Sequence, residues 1–175
     1  MVPFILAYFD KEDTPRFPTG VLLTHCILKG VQMGSLLGTV GGGVYHAIKG
    51  KSFDDWTQDT ANTSRNTAKV FGGIIVPALT LAKIYSYEDR PDAIADRAFR
   101  LKYNESQNRC DKFSFFGGLI GATVGSVYGL ETSAGASVGI ALGTLLHTAT
   151  GSLVNPDDER LSIREQYLRS RQKIN

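Results

Sequence analysis

The feature that most constrains this chain is the segregation of its charge. Gly30 to Ile48 is 19 residues without Asp, Glu, Lys or Arg, Phe113 to Leu130 is 18, and Thr132 to Pro156 is 25. A helix needs about 20 mostly apolar residues to cross a bilayer, with a range of about 17 to 25. A shorter run of 13, Val70 to Ala82, lies between Lys69 and Lys83. It reaches spanning length when both lysines snorkel to the interfaces, with Tyr85 and Tyr87 beside them as an aromatic belt. The pattern predicts four membrane helices, because three such runs overfill the core of a small soluble domain.

Glycine orders three of these runs. Gly30, Gly34, Gly38 and Gly42 recur at four-residue steps, as do Gly117, Gly121, Gly125 and Gly129, and again Gly135, Gly139 and Gly143, a row continued by His147 and Gly151. Residues four apart share one helix face, so each row is a smooth groove. In lipid there is little hydrophobic force between helices, and close backbone approach along small-xxx-small rows replaces it. These eleven glycines are the expected helix-packing residues, either within the chain or with one groove left for a partner or lipid. The second run lacks such a row, and its Pro77 is expected to kink it.

Composition averages conceal this order. A mean hydropathy of −0.08 is that of an ordinary soluble protein. The 19 glycines among 175 residues exceed the usual share of about 7%, yet none falls between Gly73 and Gly117. Seven Tyr, nine Phe and one Trp are too many for a disordered chain. Two cysteines, Cys26 and Cys110, do not make a disulfide scaffold. A net charge of +2 gives no footprint for nucleic acid.

Catalytic motifs fail on inspection. Gly50-Lys51-Ser52 has the ending of a phosphate loop, but Tyr45 stands where the pattern needs its first glycine. Gly41 and Gly43 lack a third glycine at His46. His25, His46 and His147 are dispersed, and neither cysteine has a CxxC partner. No catalytic, cofactor-binding or metal site is therefore expected. The charges nearest membrane depth are Lys29 and Glu131. Glu131 is expected at the turn between the third and fourth helices. Lys29 is expected to snorkel, to face a cavity or to pair with a partner chain.

The polar segments read as follows. The N-terminal residues have neither a secretory leader's charge order nor a presequence's arginine-rich, acid-poor composition. Asp54 to Lys69 reads as a surface or interfacial loop with some helical character. Asp89-Arg90-Pro91-Asp92 reads as a helix start, followed by an apolar face at Ala93, Ile94, Ala98 and Leu101. Asn155-Pro156-Asp157-Asp158 starts a basic amphipathic tail carrying Arg160, Arg164, Arg169 and Arg171. With four spans, the termini and the Ser86–Lys112 loop share one side and hold 13 basic residues. The opposite side has Lys49, Lys51, Arg65 and Lys69, so the termini are expected on the positive side.

The string Asp89-Arg90-Pro91-Asp92, Asp96-Arg97-Ala98, Arg100-Leu101, Tyr103-Asn104, Gln107-Asn108-Arg109, Asp111 and then Phe115-Phe116-Gly117-Gly118 resembles the segment before the third helix in the four-span mitochondrial inner-membrane translocase family. Gln107 stands where the translocase signature has Arg. The chain is more similar to the family's divergent branch, which includes an accessory subunit of respiratory complex I.

The expected architecture is all-α, one membrane domain over residues 1–175. It comprises a polar segment 1–19, a four-helix bundle 20–156 with a polar middle-loop helix, and a basic tail 157–175. The resemblance implies a non-catalytic, multi-pass accessory subunit of a mitochondrial respiratory complex, with an inner-membrane import channel as the alternative. Its implied partners are other membrane subunits and lipids. Arg97, Arg100 and Arg109 of the middle loop, together with Arg160, Arg164, Arg169 and Arg171 of the tail, are the expected contacts to partner subunits and cardiolipin headgroups. In a channel, His25, Lys29, Gln32 and Thr24 are expected to line a hydrated face.

Overall fold

The computed structural model describes residues 17–86 and 90–154. They form five helices: α1 (Pro18–Ile48), α2 (Phe53–Tyr85), α3 (Arg90–Tyr103), α4 (Glu105–Val127) and α5 (Thr132–Val154). No strand occurs among the described residues. The N-terminal segment before Phe17 and the basic tail with Arg160, Arg164, Arg169 and Arg171 lie outside the described residues.

Local chemistry sets the ends of these helices. Pro18 opens α1, where its missing N–H has no helical acceptor to lose. Gly50, at φ +65°, turns the chain out of α1. Ser52 then caps α2, its Oγ accepting from the Asp55 N–H at 3.3 Å, and Asp54 and Asp55 lie in the first turn against the positive end of the helix dipole. Asn104 caps α4, its Oδ1 accepting from the Gln107 N–H at 3.0 Å.

The 16 residues Asp54–Lys69, expected as a surface or interfacial loop with some helical character, are helical throughout and continuous with the second apolar run. The kink expected at Pro77 takes the form of a π-helical turn, Phe71–Ile75. Proline has no N–H for the carbonyl four residues back, here Gly73, and its ring crowds that carbonyl. The wider turn, with the Val76 N–H bonded to the Phe71 carbonyl, absorbs the misfit at two glycines.

The chain packs as two close helix pairs. In the first, a Cβ added to Gly34 would lie 2.6 Å from the Thr67 carbonyl oxygen, one on Gly38 2.6 Å from Ser64 Cα, and one on Gly30 2.8 Å from the Phe71 carbonyl oxygen. The α2 side of this contact is made of Ala61, Ser64 and Ala68, all buried. Ser64 Oγ donates to the Ser35 carbonyl at 3.1 Å and accepts from Thr39 Oγ1 at 2.9 Å. Trp56 Nε1 donates to the Gly43 carbonyl at 2.8 Å. In the second pair, Gly117, Gly121 and Gly125 of α4 face Gly135, Gly139 and Gly143 of α5 backbone to backbone. Ser114 and Thr144 share a hydroxyl hydrogen bond of 2.9 Å there.

Gly129 is not part of that row. It has φ +76° and nothing near its missing Cβ. The Leu130 N–H bonds to the Gly125 carbonyl at 2.9 Å and the Gly129 N–H to the Ser126 carbonyl at 3.3 Å. This is the Schellman ending, in which a left-handed glycine closes a helix. Its four-residue spacing from Gly125 therefore serves the turn into α5.

The interior is built of small residues. Buried apolar positions are Ala61, Ala68, Ala98, Ala134, Ala141, Ile84 and Ile94, and the largest fully buried side chains are Ser35 and Ser64. Many of the large aliphatic residues point outward: Leu37 is 51% exposed, Leu79 65%, Ile120 65% and Leu142 57%. Two helices, α1 and α2, are long and apolar enough to cross a membrane, and only 22% and 17% of their most apolar windows are buried. The expected four spans are thus corrected to two on this criterion. In α4 the charges Arg109, Asp111 and Lys112 are inside the helix rather than before it. In α5 the apolar residues are diluted by glycine, Ser, Thr and His147.

Arg65 of α2 forms an ion pair with Glu131, which lies in the turn between α4 and α5 as expected. Glu131 is 57% exposed, so Glu131→Gln is expected to lower stability by less than about 1 kcal/mol. Thermal unfolding of the purified protein in detergent, with a double-mutant cycle including Arg65→Gln, measures that coupling.

Candidate functional site

His25, Lys29 and Gln32 lie at steps of four and three along α1, hence on one face of it. That face meets the second turn of α4, where Cys110 and Asp111 sit. Asp111 is 7% exposed. Its Oδ1 accepts from Lys29 Nζ at 2.6 Å and from Gln32 Nε2 at 2.8 Å. Gln32 Oε1 accepts from Lys29 Nζ at 2.9 Å and from the Cys110 thiol at 3.7 Å. The amide thus has one orientation available, with its NH2 on the carboxylate and its oxygen on the ammonium. Asp111 Oδ2 has no hydrogen-bond partner, and His25 Nδ1 stands 3.9 Å from it.

A buried carboxylate is tolerated only when paired and hydrogen-bonded. Lys29 supplies the compensating charge and Gln32 the second donor. The two charges cancel, and the four-membered contact joins α1 to α4 across 82 residues of sequence. The arrangement has the chemistry of a clamp. It presents no activated nucleophile, and no group of three or more metal-ligating side chains occurs among the described residues.

Lys29 therefore neither snorkels nor waits for a partner chain. Its counter-ion is in the same chain. The sequence did not reveal this, because Asp111 reads as the end of a polar loop until α4 is seen to begin at Glu105. Three of the four residues expected to line a hydrated face, His25, Lys29 and Gln32, converge on this one carboxylate.

The expected contact arginines are dispersed. Arg100 Nε pairs with Asp96 at 2.8 Å on the exposed side of α3. Arg97 is exposed on the same helix. Arg109 is half-buried, and its Nη2 reaches the Gly151 carbonyl at 3.5 Å. Ile94 and Ala98 bury the apolar face of α3, which rests on α1. His147 is buried beside Phe113, ring centroids 6.0 Å apart.

A family model described as "Protein of unknown function (DUF1757)" matches residues 9–150. A search of curated proteins found no match.

Proposed function

Since the chain belongs to the DUF1757 family, its role must come from its own geometry, and we propose a non-catalytic structural subunit of a membrane complex. The observation that carries this reading is the inverted distribution of side chains. Alanine, serine and glycine make up most of the interior, with Ile84 and Ile94 the large aliphatic exceptions among the described residues, while many leucines, isoleucines, valines and phenylalanines face outward along α1, α2, α4 and α5. An apolar surface of that extent calls for lipid or for neighbouring helices. The ionic centre at Asp111 supports a static role, because its charges are spent on each other.

The host proposed is a respiratory complex of the mitochondrial inner membrane, complex I first. The support is the resemblance of the Asp89–Gly118 segment to the accessory-subunit branch, together with the internal pairing of Lys29. An import channel is the second reading. It is less favoured because the polar residues it needs on a hydrated face are turned onto Asp111.

Two measurements test the proposal. The protein should stay in the membrane pellet through alkaline carbonate extraction, and release into the supernatant would rule out a spanning subunit. On native gels it should co-migrate with NADH dehydrogenase activity. Migration apart from that activity, with crosslinks to precursor polypeptides in transit, would replace the accessory role with the channel.

A further inference from the structure

An apolar groove of about 1,170 Å³ runs along the α4–α5 hairpin and the first turns of α2. Its floor is the glycine crossing described above. Its walls include Phe116, Ile120, Val124, Leu142 and Leu146, and no other described segment covers them. The groove extends along α4 from Lys112 to the residue that caps its end, Tyr128, a rise of about 24 Å.

We infer that this groove seats one transmembrane helix of a neighbouring subunit. The inference rests on the structural-subunit reading and adds the surface by which it acts. Length is the first argument. The hydrocarbon core is about 30 Å thick. With α4 and α5 at membrane depth beside the two spanning helices, as the structural-subunit reading requires, a lipid chain reaches only about half of that thickness, whereas the groove runs most of the way. Width is the second. The volume spread over that length gives a mean cross-section of about 50 Å², over half that of a helix about 10 Å across. A helix seated in it is embraced on one side and meets lipid on the other.

Charge at the two ends sets the partner's direction. Lys112 marks one end and Asp54 the other, both exposed. They lie far apart. Lys29 ties Asp111 to the level of Gly30, which rests on Phe71 of α2, and Asp54 is 17 residues earlier on that helix, about 26 Å away. The partner helix carries an acidic residue beside Lys112 and a basic one beside Asp54. The smooth floor lets its backbone approach closely.

The test places p-benzoylphenylalanine at Ile120 or at Leu142 in the full chain and irradiates intact membranes. Leu37, on the outer face of α1, is the control position. Both groove positions should give an adduct of one mass with the same membrane-spanning polypeptide. The crosslinked span should carry the acidic and basic ends stated above, and Leu37 should not give that adduct. Lys112→Glu should lower the adduct yield at least about tenfold, since like charges at a contact cost several kcal/mol. Adducts with phospholipid alone, with a second copy of the chain or with a soluble polypeptide would overturn the inference, as would none at either position. Native gels of the same membranes separate the two claims. A lipid adduct in a chain that still migrates in a large complex sinks the groove alone, and a chain found in no complex sinks the subunit reading as well.

Discussion

Replacing Gly139 with leucine should abolish the closed α4–α5 hairpin. A Cβ at that position is driven onto the Gly117 carbonyl and lies 2.9 Å from Gly121 Cα. The obstacle is backbone on both counts, so no rotamer change relieves it. The helices must separate along the whole crossing, and the Ser114–Thr144 hydroxyl bond is lost with the contact. Overpacking of this kind costs about 3 kcal/mol or more, at the upper end of its usual range. Gly121→Leu should behave alike, since its Cβ would lie 2.7 Å from Gly139 Cα. Gly41→Leu is the matched control, as nothing stands within 4 Å of its missing Cβ. The readout is the amount of chain assembled on native gels and its resistance to protease. Normal assembly of Gly139→Leu would show that the crossing does not hold the hairpin.

Lys29→Met should strongly destabilise the contact between α1 and α4. It leaves the Asp111 carboxylate, 7% exposed, hydrogen-bonded by the Gln32 amide alone, with His25 3.9 Å from its other oxygen. Removing one partner of a buried ion pair costs about 3–5 kcal/mol, because the remaining charge is uncompensated. Lys29→Met combined with Asp111→Leu should recover most of that loss, since an apolar pair needs no compensation. Asp111→Leu alone should be milder than Lys29→Met. The orphaned ammonium is on a side chain 26% exposed with a flexible stem, whereas the carboxylate is short and enclosed. Thermal unfolding in detergent of the three variants measures the coupling. A double variant no more stable than Lys29→Met would mean that the ion pair does not join α1 to α4.

The helical character of the chain and the close approach of its helices were legible before the structure. Uncharged runs of membrane length and glycine at every fourth position are properties of one helix at a time, and periodicity reports them directly. The small-residue partner of the first glycine row was also written in the sequence, as Ala61, Ser64 and Ala68. The surrounding Asp, Thr, Asn and Arg residues made that stretch read as a surface loop with some helical character. Polarity outweighed spacing in the reading, while spacing decided the fold, because a glycine groove needs only small neighbours and tolerates polar ones on the outer face.

Other features depended on tertiary structure. Which glycine row meets which surface is a matter of pairing between helices, and no single helix encodes it. Gly129 keeps the four-residue step of its row yet serves as the left-handed residue of a helix end, a distinction made by φ and not by spacing. The Lys29–Asp111 pair joins residues 82 apart in sequence, and it exists because α4 begins before its charges instead of after them. The sequence alone determined the periods of the helices, since these follow from 3.6 residues per turn. The tertiary structure decided the counter-ions and the contacts, since those depend on distances across the bundle that no local pattern carries.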